Sequence, residues 1–221
     1  MTDLRITISK ENYLKAIAEA ESEGETVIAA TLVRWLKVTA PAVTMAIRRL
    51  KRDGLIQVEK AGVLRLTRAG REIANRLLTR HHLIERMLSE VFGMAWYKVH
   101  DEAEQLEHAV SEDFERKLID KLGSGGACPH GNIVEMDTGQ SRRRRGLRPL
   151  NELAPDERGR VVSVYERDRE LLEYLDGLGI RPGAEVSLKQ HNVDETLTLA
   201  VAGRVTPLGR PAASRVWVQP L

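Results

Sequence analysis

Cysteine is almost absent: Cys128 stands alone in 221 residues, which excludes an intrachain disulfide and fits a reducing compartment. Long apolar runs are missing too. None approaches the ~18 residues of a membrane span, and the opening stretch MTDLRITISKENYL has no signal-peptide hydrophobic region. The expectation is a cytoplasmic protein with no membrane partner. No HExxH or comparable catalytic signature occurs either, which argues against an enzyme and a small-molecule substrate. What remains, 42% hydrophobic and 30% charged residues, describes a globular chain able to bury a core and long enough for two or three small domains.

The net charge of +2 hides an asymmetry. Residues 1–80 carry 15 Lys and Arg against 9 Asp and Glu, whereas 81–122 carry 5 against 10. A basic first third beside an acidic stretch points to a polyanion at one and a cation at the other. Within the acidic stretch, KVHDEAEQLEH (98–108) stacks His100, Glu104, Glu107 and His108 on one face of a helix. Upstream, RHHLIERML places His81 and Glu85 four apart on another. Four of the six histidines fall between positions 81 and 108. Imidazole with carboxylate is a donor set for Mn(II), Fe(II) or Zn(II), and no thiolate lies in this stretch to favour a softer metal.

The first third reads as three helices and a hairpin. Ser9 is a candidate N-cap for a first helix, and Thr26 for a second. Thr39-Ala40-Pro41 opens a third, AVTMAIRRLKRDG, which ends at Gly54. Residues 55–59 and 63–67 alternate as strands about Lys60-Ala61-Gly62. Helix-turn-helix followed by a hairpin is the pattern of a winged helix, whose third helix enters the major groove of DNA. Thr39, Pro41, Ala42, Thr44 and Met45 then face base edges, with Ala42 and Met45 able to meet thymine methyls. Arg48, Arg49 and Arg52 suit phosphates.

Helices over about 67–92 and 97–110, and a shorter one capped by Ser111, suit a dimer interface, and a symmetric dimer suits a palindromic operator. Residues 123–147, rich in glycine and carrying the run Arg142 to Arg145, read as a solvated linker, and Cys128-Pro129-His130-Gly131 as a structural turn. From 148 to 221, strands at 159–165, 185–190, 196–202 and 215–219 with a short helix at 169–175 suggest a small barrel. The fold class is mainly α with β, divided at 1–70, 71–122, 123–147 and 148–221. Two other functions stay open on these residues: a winged-helix regulator whose acidic helices serve only dimerisation, and a metal-dependent hydrolase.

Along its whole length the chain resembles the diphtheria toxin repressor family of metal-dependent transcriptional regulators. The resemblance rests on RDGL (52–55), LTRAG (66–70), HHLIERML (81–88), KVHDEAEQLEH (98–108) and CPHG (128–131). It implies a winged helix-turn-helix, a helical metal-binding and dimerisation domain and an SH3-like β-barrel, acting as a homodimer on operator DNA. By position it implies one metal site from Asn12, Glu104, Glu107 and His108, and an ancillary site from His81, Glu85 and His100, with Glu166 as the barrel's carboxylate. Glutamate at 104, where the iron-responsive branch has cysteine, points to Mn(II), with Fe(II) compatible. Two departures stand out. Asn12 offers only a neutral amide where manganese regulators carry aspartate, and Lys15 replaces a metal-binding glutamate of many of them, so two separated sites are expected rather than a bridged pair. Metal would then shift the population toward a spacing of recognition helices near one DNA turn, ~34 Å.

Overall fold

A computed structural model describes residues 6–133 and 137–221. These divide into two units: residues 6–81 with 137–139, and residues 82–133 with 140–221.

The first unit begins with helix α1 (Ile8–Ser22). Thr7 rather than Ser9 caps it, its Oγ1 accepting from Lys10 N at 3.4 Å. Helix α2 (Ala29–Leu36) starts beyond Thr26, and Thr31 Oγ1 accepts from Ile28 N while donating to Thr26 O. Lys37, at φ 52°, turns the chain into α3 (Ala40–Arg52), with Thr39 at the N-cap and Pro41 in the first turn as expected. Strands β1 (Ile56–Val58) and β2 (Leu64–Leu66) pair antiparallel, Gln57 opposite Arg65, to make the wing. One core joins Leu14 and Ile17 of α1, Leu32 and Trp35 of α2, Val43 and Leu50 of α3, Leu64 of the wing, and Ala74 and Leu78 of the following helix, α4 (Arg68–Arg86).

The motifs RDGL and LTRAG lock together at the base of the wing. Thr67 donates its N–H to Leu55 O and its hydroxyl to Gly54 O, and its Oγ1 accepts from Gly70 N, capping α4. Gly70 packs so close that an added Cβ would lie 2.0 Å from Leu55 O. Buried Glu21 ties α1 to the wing and to α4 through Arg65 (3.3 Å) and Arg71 (2.8 Å).

In the second unit α4 ends in a π-helical turn, Met87–Val91, rather than running on regularly to 92. Helices α5 (Val99–Leu106) and α6 (Glu112–Leu122), the latter capped by Ser111, close a small core of Leu83, Ile84, Leu88, Val99, Ala103 and Leu118. The arginine run is exposed at Arg143, Arg144 and Arg145, as a solvated run would be, but it is helical and buries Arg142. Its first three arginines form the second half of helix α7 (Gly139–Arg144), in which Arg142 is buried over the Trp217 ring and Arg143 pairs with Glu152.

The C-terminal part is an SH3-like β domain. Its six strands are β3 (Arg148–Pro149), β4 (Arg158–Val164), β5 (Glu185–His191), β6 (Thr196–Val201), β7 (Arg204–Gly209) and β8 (Val216–Pro220). They form one antiparallel sheet in the order β3-β8-β4-β5-β6-β7, which does not close into a ring. Two short helices, α8 (Arg169–Gly177, capped by Asp168) and α9 (Arg210–Ala213), complete it around Leu172, Leu188, Leu199 and Val218. Strand β7 was not expected from the sequence, because Pro207 demotes a strand reading; as the last strand of the sheet it tolerates the missing N–H. Among the described residues no helix is long and apolar enough to cross a membrane.

Candidate metal centre and nucleic-acid interface

Helix α3 buries Val43, Ala46 and Leu50 and turns its other side outward. Thr39, Pro41, Ala42, Thr44, Met45, Arg48, Arg49 and Arg52 are all exposed on that side. The short side chains occupy the first turns and the arginines the last ones, so small groups and positive charges lie along one accessible stripe. Thr44 Oγ1 donates to Ala40 O, and Arg52 pairs with Asp53 at 3.2 Å, which leaves Arg48 and Arg49 the better placed to meet phosphates.

The second unit gathers ionisable groups from four places. The end of α4 supplies His82 and Glu85, the first turn of α5 supplies His100, the loop after α6 supplies Cys128 and His130, and the residue stretch after β4 supplies Glu166. The loop is fastened to β4: Val164 N donates to His130 O, and Asn132 Nδ2 donates to Val164 O. A bulge in β4 between Val161 and Ser163 accompanies this attachment. Gly131, at φ +84°, allows it, since a Cβ there would lie 1.8 Å from Val162 O.

Distances within the cluster suit a small cation. His130 Nδ1 lies 3.5 Å from Glu85 Oε1, 3.6 Å from Glu166 Oε2 and 3.6 Å from Cys128 Sγ, and Cys128 Sγ lies 3.5 Å from Glu166 Oε2. A tetrahedron with metal–ligand bonds of about 2.1–2.2 Å has edges of about 3.5 Å. His82 also places a ring nitrogen within 4.8 Å of Glu85, Cys128 and Glu166 ligand atoms. Outer partners orient the donors: His130 Nε2 meets Trp96 O at 2.9 Å, which directs Nδ1 at the acids, and Asn132 Nδ2 donates to Glu166 Oε2 at 2.6 Å. His100 Nδ1 lies 3.1 Å from Glu85 Oε1.

Protonation follows from this crowding. Burial and the Glu85 carboxylate push Glu166 up, but the imidazoles of His100, His82 and His130 outweigh them and hold it at about 2. Burial disfavours a charged His130, yet Glu85 and Glu166 reverse this and raise its pKa. Burial, then Glu85 and Glu166, lift the Cys128 thiol well above its ordinary range. A divalent ion would replace these protons and compensate the carboxylates. The residues present therefore fit a metal ion.

Residues 5–64 match the iron dependent repressor N-terminal DNA-binding domain, 67–134 the iron dependent repressor metal-binding and dimerisation domain, and 148–220 the FeoA domain. The chain is 35% identical to the diphtheria toxin repressor of Corynebacterium efficiens over 188 residues, 80% of this chain and 81% of that one. The chain belongs to the diphtheria toxin repressor family. It is 34% identical to the iron-dependent repressor IdeR of Mycobacterium tuberculosis across 81% of this chain and 83% of that one. It also superposes on a manganese-dependent transcriptional repressor solved in complex with manganese, with a TM-score of 0.85 and 29% identity, covering 96% of this chain and 100% of that one. It is thus a metal-dependent transcriptional regulator and not an enzyme, which removes the hydrolase reading.

As a member of this family the chain distributes its expected ligands unevenly. Glu85, His100 and Glu166 come together in the second unit. Glu104 lies 3.2 Å from Arg167 and 3.6 Å from His100 Nε2, and buried Glu107 lies 3.6 Å from His108 Nε2. Asn12 and His81 belong to the first unit, where His81 meets Lys15. Sequence reasoning passed over Cys128 and His130 as a turn. They do form one, with Gly131 N donating to Cys128 O, and the turn carries both side chains inward among the acids. A thiol and a histidine two apart, in a stretch already counted toward the family likeness, was the available signal.

Proposed function

We propose that this chain is a Mn(II)-activated repressor that binds a palindromic operator as a homodimer. The convergence of Glu85, Cys128, His130 and Glu166 carries the reading, since buried carboxylates beside an imidazole and a sulfur form a donor set that a divalent ion would compensate. Glu104 on α5, with Glu107 and His108 in the turn that follows it rather than on the same helix, is a second donor set. Its hard carboxylates and the manganese bound by a similar solved repressor support Mn(II) there. The exposed stripe on α3 reads DNA, Arg48 and Arg49 on phosphates and Ala42, Thr44 and Met45 against base edges.

The Cys128 sulfur supports a second reading, in which the Glu85 cluster holds Fe(II) or Zn(II) more tightly than Mn(II). What the chain's own residues do is the same in either case. His130, aimed by Trp96, and Glu166, aimed by Asn132, would hold the ion while keeping these orienting partners. DNA responds only if the ion binds one conformation better than another, and by reciprocity operator DNA then tightens metal binding.

The deciding experiment titrates Mn(II), Fe(II) under anaerobic conditions and Zn(II) into metal-free protein, and follows affinity for a pooled genomic fragment library at fixed salt. Enrichment of fragments that appears with Mn(II) and is lost with Glu85→Gln or Glu107→Gln is expected. Equal enrichment with and without metal would leave a winged-helix protein without a metal switch.

A further inference from the structure

Two consecutive side chains near the end of α4 serve the metal cluster from different sides. Glu85 lies in the cluster, whereas Arg86 reaches the chain that leads to Cys128. Arg86 Nη2 donates to Leu122 O at 2.6 Å, and Nη1 donates to Gly125 O at 3.0 Å and to Gly123 O at 3.4 Å. Its Nε donates to Glu90 Oε1 at 2.9 Å across the π-helical turn, which sets the plane of the guanidinium fork. Leu122 and Gly123 end α6, where carbonyls lack partners within the helix and the dipole is negative. One guanidinium therefore closes α6 and clamps the loop beyond it.

The segment between this clamp and the sulfur has little to hold itself. Residues 123–127 are all exposed, and Gly123 and Gly126 sit at φ +82° and +111°. Glycine-rich backbone of this kind loses much entropy on ordering. Beyond it, Cys128 N donates to Asn132 O and Val164 N donates to His130 O, so β4 fixes the far end of the turn. His130 has a further anchor at Trp96 O. Cys128 depends on the near end, and Gly125 lies only three residues before it, a reach of about 11 Å at most. We infer that Arg86 is a positioning residue that delivers the Cys128 sulfur to the cluster, and so sets the cluster's preference for Zn(II), Co(II) or Fe(II) over Mn(II). Sulfur favours the softer ions, whereas Glu85, Glu166 and His130 alone make a harder set. Lysine at this position offers a point charge in place of the fork and cannot hold three carbonyls in one geometry. The inference rests on the reading that the Glu85 cluster holds a divalent ion.

The test uses the full chain with Co(II) as the probe, because a sulfur-to-Co(II) charge-transfer band appears only when a thiolate ligates and Cys128 is the sole cysteine. Wild-type protein saturated with Co(II) should show the band, and Cys128→Ser should abolish it. Arg86→Gln should lose most of the band while Co(II) stays bound. It should also weaken one class of Zn(II) site about tenfold in chelator competition and leave Mn(II) affinity within about threefold. Arg86→Lys should fall between the two. In a Cys128→Ser background, Arg86→Gln should cost no further Zn(II) affinity. Two glycines inserted between Gly126 and Ala127 keep the clamp and slacken the tether, so they should reproduce the loss of the band even where Arg86→Gln fails to fold. A band of full strength in Arg86→Gln or in the insertion variant, or an equal loss of Zn(II) and Mn(II) affinity, overturns the inference and leaves Arg86 closing α6 alone. A wild-type chain that binds Co(II) without the band sinks the cluster itself, and the inference with it.

Discussion

In the first unit the buried carboxylate of Glu21 meets the guanidinium groups of Arg65 and Arg71, whereas in the second the buried carboxylate of Glu85 meets the imidazoles of His100 and His130. A guanidinium keeps its charge at every accessible pH, so Glu21 is neutralised for good. An imidazole can give up its proton, so the compensation of Glu85 is exchangeable. On the proposed function, fixed partners suit the first unit to reading DNA, and replaceable partners suit the second to taking up an ion.

The contrast breaks most sharply at the acids themselves. Glu85→Gln with Cys128→Ser should weaken metal binding to the cluster by at least about a hundredfold, since even outer partners of metal ligands are worth 10–100-fold. Competition against a chromophoric chelator measures this. Glu21→Gln should leave metal affinity alone and lower stability by about 1–3 kcal/mol in denaturant unfolding, a discounted value because both arginines reach solvent.

Two glycines sharpen the same comparison. Gly131→Ala would drive a Cβ into Val162 O and strain a left-handed backbone, pushing the loop off β4. The expected result is a loss of about 1–3 kcal/mol together with at least a tenfold fall in metal affinity, because His130 and Cys128 ride on that loop. Gly70→Ala, with its Cβ against Leu55 O, should destabilise by a similar amount without touching metal affinity. Calorimetry with and without Zn(II) separates the two.

These glycines also mark how far the sequence could be read. Local rules sufficed where structure is local: Thr39-Ala40-Pro41 opened α3, Ser111 capped α6, and alternation on either side of Lys60 to Gly62 gave the wing. Boundaries moved where two caps competed, as Thr7 over Ser9. The site was legible in part. Glu85 and His100 followed from helical spacing, but their meeting with Cys128 and His130 depends on a bulged strand and a buried Gly131, neither of which leaves a periodic trace. Helix α7 was hidden because Arg142 is held by Trp217 and Asn132, partners remote in sequence.

A smaller effect, graded with pH, follows from the raised pKa values of Cys128 and His130. Both hold protons that an entering ion must displace. Below the His130 pKa two protons leave, so affinity should rise by up to about a hundredfold per pH unit; above it only the thiol proton remains and the slope falls to about tenfold. Cys128→Ser should flatten the upper slope, as read in binding isotherms from acid to neutral pH. Glu166 works at the other end. Its folded-state pKa of about 2 lies below the ordinary 4.5, so its contribution to stability is complete above the ordinary value and is lost as pH falls toward 2.

The mildest perturbation belongs to the reader. Arg48→Ala and Arg49→Ala remove exposed charges in the first unit, whereas the metal cluster lies in the second, so metal affinity in the absence of DNA should not change. Each should reduce the slope of log affinity against log salt by about 1 and weaken binding alike for all sequences, the behaviour of a phosphate contact. Arg52, already paired with Asp53, should contribute less. A loss confined to the preferred operator fragment would instead make the arginine a base reader, and α3 would then draw its specificity from charge at its C-terminal end rather than from the small side chains at its start.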